Sequence, residues 1–142
     1  MSKSVGNVVD PLKLMKLYGS DILRLWVASV DYQQDVRIGN ELIKQVSESY
    51  RKIRNTFRFL LGNVNDFNYE TDAVKFEDMQ DVDKYILIKL DKYLENVTNA
   101  YDNYDFQAVF KLTTNFMTIE LSNFYMDFTK DVLYVDKKEG LR

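Results

Sequence analysis

Cysteine and histidine are both absent from these 142 residues. Disulfides, thiolate nucleophiles, imidazole acid–base chemistry and the usual zinc ligand sets are thereby excluded. A cysteine-free chain is compatible with a reducing, cytoplasmic setting. Proline occurs once and glycine five times, so few positions interrupt a helix. There is no run of 18 apolar residues and no secretory leader pattern, and no membrane partner is expected. What remains is apolar and aromatic. Hydrophobic residues make up 46% and aromatic residues 14%, which excludes disorder for most of the chain and suffices for one domain with a real core.

The net charge of −3 and the pI near 5.0 argue against a general nucleic-acid binder. The charge is unevenly placed, however. Between Lys44 and Arg58 stand five basic residues against one acid, Glu48, whereas Asp66 to Asp105 carries eleven acids against four lysines. Such a split lets one face alone meet a phosphate backbone.

The apolar spacing predicts an all-α protein. Asp10-Pro11 reads as an N-cap with proline at the first helical position, and a helix is expected from there to Tyr18, stopped by Gly19. Ser20 is expected to cap a second helix, Asp21 to about Val30, apolar around most of its circumference and therefore heavily buried. Asp35-Val36-Arg37-Ile38 alternates in polarity and reads as a short strand or an extended connector. A long helix from Asn40 to Gly62 follows, its seam formed by Ile43, Val46, Tyr50, Ile53, Phe57, Leu60 and Val64. After a polar, broken connection comes a helix from Asp81 to Asn103. Val82, Tyr85, Ile86, Leu90, Tyr93, Val97, Ala100 and Tyr104 form its expected buried face. A turn at Tyr104-Asp105 leads to a last helix, Phe106 to about Asp131, with Val109, Leu112, Phe116, Met117, Leu121, Phe124 and Phe128 inward. Three long amphipathic helices with connections of modest length imply an antiparallel bundle.

The opening stretch has a different character. Met1 to Pro11 is small and polar without periodicity, which by itself reads first as a disordered N-terminal tail and otherwise as a loop whose backbone N–H groups and lysine could wrap a polyanion. Met1-Ser2-Lys3-Ser4 followed by Gly6-Asn7-Val8-Val9-Asp10-Pro11 resembles the KMSKS loop of class I aminoacyl-tRNA synthetases, without that motif's first lysine. Tyr18 to Ser29, Asp31-Tyr32, Asp35 to Ile38 and Ser47 to Asn63 are similar to the segments that follow this loop in the isoleucine-specific branch, and Tyr104-Asp105-Phe106 and Phe124 to Asp127 continue the likeness.

The resemblance implies an internal piece of a larger enzyme. Residues 1–38 would hold the KMSKS loop and a helical connector that contacts the tRNA stem. Residues 39–142 would form a helical anticodon-binding domain, truncated at its C-terminal end. The enzyme so implied forms isoleucyl-adenylate from ATP and isoleucine and transfers isoleucine to its tRNA, using ATP and magnesium. This piece would mainly bind the tRNA anticodon stem, hold no cofactor by itself and be inactive alone. Its partners would be isoleucine tRNA and the rest of the synthetase. Two other readings stand beside it: a free-standing helical interaction module with no RNA role, or the equivalent piece of a valyl or leucyl enzyme.

Two sets of residues carry the expected chemistry. By resemblance, Met1, Ser2, Lys3 and Ser4 would contact ATP, and Lys3 would be catalytic, stabilising charge that develops on the phosphates. Ser2 and Ser4 would add hydroxyl or backbone donors. From helical projection at about 100° per residue, Lys44, Arg51, Arg54 and Arg58 gather into one stripe that suits RNA phosphates, or simply a solvated face. Phe59 projects away from its helix's seam, as a base-stacking residue or a packing surface would. Glu120, Asn123 and Asp127 fall beside the apolar face of the last helix and are expected to tie helices together rather than hold a metal. Exposed apolar surface near the C-terminal end would favour homodimer formation by the isolated piece.

Overall fold

The computed structural model describes residues 8–36 and 38–136. Its order is α1 (Pro11–Tyr18), α2 (Ser20–Ser29), α3 (Asn40–Asn63), the single turn α4 (Tyr69–Asp72), a 3₁₀ turn (Phe76–Asp78), α5 (Asp81–Asp102), α6 (Phe106–Asn115), a π-helical segment (Phe116–Met126) and α7 (Asp127–Val135). No strand occurs among the described residues. The connector reading of the stretch from Asp35 to Ile38 therefore holds for its described residues.

Local chemistry explains the ends of these elements. The Asp10 carboxylate accepts from the Leu12 N–H at 2.9 Å, satisfying one of the free donors of α1, and Pro11 supplies a preset φ. Gly19 donates its N–H to the Met15 carbonyl at 2.9 Å and sits at φ 90°, a conformation L side chains rarely adopt. The same glycine precedes α2, so Ser20 is the first helical residue of α2 and makes no capping bond, contrary to expectation. At the far end of α5, the Asp105 N–H reaches the Ala100 carbonyl at 2.8 Å and the Tyr104 N–H reaches Tyr101 at 3.0 Å. That pair of bonds is a Schellman closure, with Tyr104 in the left-handed region at φ 56°. Asp105 then caps α6 by accepting from Ala108 at 2.9 Å.

α6, the π segment and α7 form one continuous rod, since Asn115, Phe116, Met126 and Asp127 all keep right-handed helical angles. α5 runs antiparallel to it. Moving up α5, Tyr93 bonds Thr113 at 2.9 Å and stacks on Phe116 at 4.5 Å, Lys89 meets Glu120, and Asp83 accepts from Tyr125 at 2.7 Å. α3 also packs against the π segment, and α2 contacts both α3 and α6. The fold is the expected all-α antiparallel bundle. Its tightest core joins Leu14 of α1, Ile22 of α2, and Ile43 and Val46 of α3. Burial at each of these is worth about 1.5–3 kcal/mol.

Several expected burials are corrected. α2 fully buries only Ile22, and Val27 is exposed. Within α3 the buried side turns from Ile43, Val46 and Ser47 to Thr56, so Phe57 and Val64 face solvent. The neighbours differ along the helix: Ile43 and Val46 cluster with Ile22 of α2, whereas Phe59 near the C-terminal end meets Tyr134 of the rod. On α5, Ile86 and Ala100 are buried while Tyr85 and Tyr104 are exposed. On the rod, Phe116 and Met117 are buried while Phe124 and Phe128 are exposed. Phe124 still meets Tyr85 of α5 edge-to-face at 5.5 Å at the rim of the seam, whereas Phe128, beyond the π turns that add residues per turn, is carried off the projected face. Helicity also reaches Val135, beyond the expected end near Asp131.

Candidate nucleic-acid interface

α3 is 24 residues long, about 36 Å, and carries the basic stripe on a face the bundle leaves open. Glu41 in the first turn, the absence of proline within it and the placing of its one glycine, Gly62, in the last turn suit a long helix. Lys44, Arg51, Arg54 and Arg58 are all exposed. The turning of the buried side explains Arg54, which lies nearly under Ile43 in projection yet is exposed where Thr56, on the far side of the helix, is buried.

The stripe also lacks counter-charges, as does Lys52 on the same helix, among the described residues. Arg24 lies 3.8 Å from Asp21, Lys89 lies 3.1 Å from Glu120, and Lys130 pairs with Asp127. Among the described residues, none of the four stripe cations has a carboxylate within ion-pairing distance. Fully hydrated cations without local partners can each exchange a counterion for a phosphate. From Lys44 to Arg58 they span about 21 Å.

At its C-terminal end the stripe runs into a cleft of about 410 Å³, lined by Asn55, Arg58, Phe59, Gly62, Asn63 and Tyr134. Phe59 is half-buried there, with its ring edge-to-face on Tyr134 of α7 at 6.4 Å and 85°. The packing role considered for Phe59 is thus met within the chain. Asn63 donates its side-chain amide to the Phe59 carbonyl at 2.8 Å, which fixes its orientation. Arg58 and Phe59 were legible as candidates. Asn55 and Asn63 share that helix side at i and i+8, a signal available but unread. Tyr134 comes from a distant element and gave none.

The acidic residues of the rod separate. Glu120 forms the salt bridge to Lys89 and so ties the rod to α5, as expected. Asp127 is exposed and pairs with Lys130 on its own helix, and Asn123 is exposed. They form no common network, because the π segment rotates them apart. The Glu120 hydrogen bond, followed by that of Tyr85, holds the Lys89 ammonium above its ordinary pKa. Burial, helped by the bond to Asp83, pushes the Tyr125 phenol well above the usual tyrosine range. No group of three or more acidic residues able to hold a metal occurs among the described residues. Met1, Ser2, Lys3 and Ser4 lie outside them.

Comparison with known proteins now decides the family. Residues 1–39 match the model for class I tRNA synthetases (I, L, M and V), and residues 83–141 match the anticodon-binding domain of tRNA ligase. The isoleucine–tRNA ligase of Bacillus subtilis (strain 168) is 60% identical over 136 residues, 96% of this chain. That of Listeria monocytogenes serotype 4b is 58% identical over 140 residues, 99% of the chain, and that of Staphylococcus carnosus is 54% identical over 140 residues. The chain belongs to the class I tRNA synthetases. It spans 15% of the length of these relatives.

Within this family segment the geometry gains an orientation. α5, the rod's π segment and α7 fall inside the anticodon-binding match, and α1 and α2 fall inside the synthetase match. α3, which carries the stripe and most of the cleft, lies between the two and packs on elements of both. No helix among the described residues is long and apolar enough to cross a membrane.

Proposed function

We propose that this chain is the tRNA-facing helical portion of an isoleucine–tRNA ligase, with the exposed side of α3 lying along the phosphate backbone of the tRNA. The observation that supports it best is the set of four exposed cations without partners, Lys44, Arg51, Arg54 and Arg58, in a chain of net charge −3. Phosphate contacts need position more than pattern, and a rigid helix supplies position. In this reading residues 1–38 serve as loop and connector, and residues 39–142 as the anticodon-binding bundle.

The whole enzyme would form isoleucyl-adenylate from ATP and isoleucine and pass isoleucine to its tRNA in the cytoplasm, with magnesium beside the nucleotide. Of this chain's residues, Met1, Ser2, Lys3 and Ser4 would contact the ATP phosphates. Lys3 would meet the charge that develops there, since a flexible stem with three donors suits a moving group. The remainder of the synthetase would be the second partner. Exposed Phe128, Leu133 and Val135 on α7 favour self-association when the chain is isolated.

The test is binding of isoleucine tRNA to the 142-residue chain and to its Arg51→Ala and Arg54→Ala variants. Tighter binding than to unrelated tRNAs, weakened by either substitution, supports the reading. Equal weak binding to every tRNA and variant would make α3 a solvated face of a helical interaction module.

A further inference from the structure

The rod carries two incompatible helical spacings. Phe116 stacks on Tyr93 and Tyr125 donates its hydroxyl to Asp83 at 2.7 Å, so both face α5. They stand nine residues apart. At α-helical spacing, about 100° per residue, they would lie on opposite sides of the rod. The wider turns of the π segment bring them to the same side. The apolar side chains follow the other spacing. Phe110, Met117, Leu121, Phe124 and Phe128 fall within about 60° of one another on an α-helix. The π winding breaks that row, since Met117 is buried whereas Phe128 is 55% exposed. No proline or glycine stands between Phe106 and Val135, so the backbone itself is free to wind as α-helix throughout.

What favours the π winding sits at its far end. With Phe116 against Tyr93, Asp83 lies ten residues back along α5. Two helices of equal rise would place Met126 and Asp127 of an α-helical rod opposite it. In that winding Asp127 lies within about 20° of Phe116, so its carboxylate would meet Asp81 and Asp83 in the first turn of α5. Like charges oppose the arrangement. The π winding puts Tyr125 there instead, a donor to the Asp83 carboxylate, and leaves Asp127 exposed beside Lys130.

We infer that the rod is a two-register switch: a π register latched by Tyr125 on Asp83, and an α register that turns Tyr125 away and returns Phe128 to the row of Met117. Rewinding the nine residues from Phe116 to Tyr125 rotates everything beyond them by about half a turn. α7 rotates with them, and Tyr134 leaves Phe59. The register therefore sets which side of α7 stands against the C-terminal end of α3. Packed helices exchange between discrete arrangements rather than deform continuously, which suits a half-turn step.

A cysteine-free chain lets spin labels be placed at chosen sites for distance measurement by double electron–electron resonance. One label goes on α7 at exposed Asp131→Cys. Its partner goes on exposed Glu95→Cys of α5 or, in a second sample, on exposed Glu48→Cys of α3. A half turn carries the α7 label across a helix about 10 Å wide, which two separate reference points detect in at least one distance. The chain with no further substitution should give one distance in each sample. Tyr125→Phe removes the latch, and Asp127→Asn removes the charge that opposes the α register. Each should introduce a second distance. For Tyr125→Phe the ratio of registers should shift by about 10- to 150-fold, the worth of one hydrogen bond to a charged acceptor. Adding Phe128→Ser to either variant withdraws the burial that the α register gains and should suppress the second distance. A single unchanged distance in either variant would overturn the inference. So would a second distance that survives Phe128→Ser, or one that comes with loss of the helical circular-dichroism signal, since fraying rather than rewinding then moves the label.

Discussion

Salt dependence gives the stripe a quantitative signature. Each phosphate neutralised by a lysine or arginine releases counterions, so log K falls with log[salt] by about 0.7–0.9 per contact. Lys44, Arg51, Arg54 and Arg58 are exposed and unpaired among the described residues, so all four are available to phosphates. Four contacts predict a slope of about −2.8 to −3.6, hence a loss of roughly 50- to 150-fold in affinity between 50 and 200 mM salt. Arg51→Ala should shift the slope by about 0.7–0.9 and reduce the loss to roughly 20- to 40-fold. Lys130→Ala removes a cation already engaged with Asp127 and should leave the slope unchanged. Fluorescence anisotropy with labelled isoleucine tRNA over a salt series reads both quantities. A slope near zero, or one that Lys130→Ala shifts as much as Arg51→Ala, would refute the reasoning.

Tyr125→Phe removes the 2.7 Å bond to Asp83 and should cost about 1.5–3 kcal/mol in urea unfolding at neutral pH. Because folding raises the Tyr125 pKa, its contribution is complete below the ordinary tyrosine pKa near 10 and is lost as pH rises above it. Stability of the unsubstituted chain should therefore fall at alkaline pH, and less steeply in Tyr125→Phe. Asp10→Ala removes the cap of α1 and should cost about 1 kcal/mol by the same measurement. Tyr104→Gly should raise stability by up to about 1 kcal/mol, because the tyrosine is held at φ 56° with its ring largely exposed. The 142-residue chain should show no ATP–pyrophosphate exchange above background with isoleucine; clear turnover would contradict its assignment as one part of an active site.

The helices were legible because their signals are local. Asp10-Pro11, Gly19 and Tyr104-Asp105 mark ends through side-chain caps and special backbone angles, and the structure uses each of them. The basic stripe was legible for the same reason, since one helix fixes its own surface geometry. What depends on a partner was not legible. The buried side of α3 turns along a helix whose neighbours differ, α2 at Ile43 and Val46 and the rod at Phe59, which no single-helix projection contains. The π segment breaks the spacing from which Phe128 was placed inside. One wall of the cleft was equally hidden, because Tyr134 reaches Phe59 only through the packing of α7 against α3.

The central claim is that the exposed side of α3 is the RNA-facing surface, and amide chemical-shift mapping of the labelled chain with isoleucine tRNA tests it most directly. The account predicts perturbations concentrated on Lys44, Arg51, Arg54 and Arg58 and continuing to Phe59 and Asn63, with the acidic stretch from Asp66 to Asp83 unaffected. Perturbations centred on α5 or on that acidic stretch, with the stripe unchanged, would contradict it.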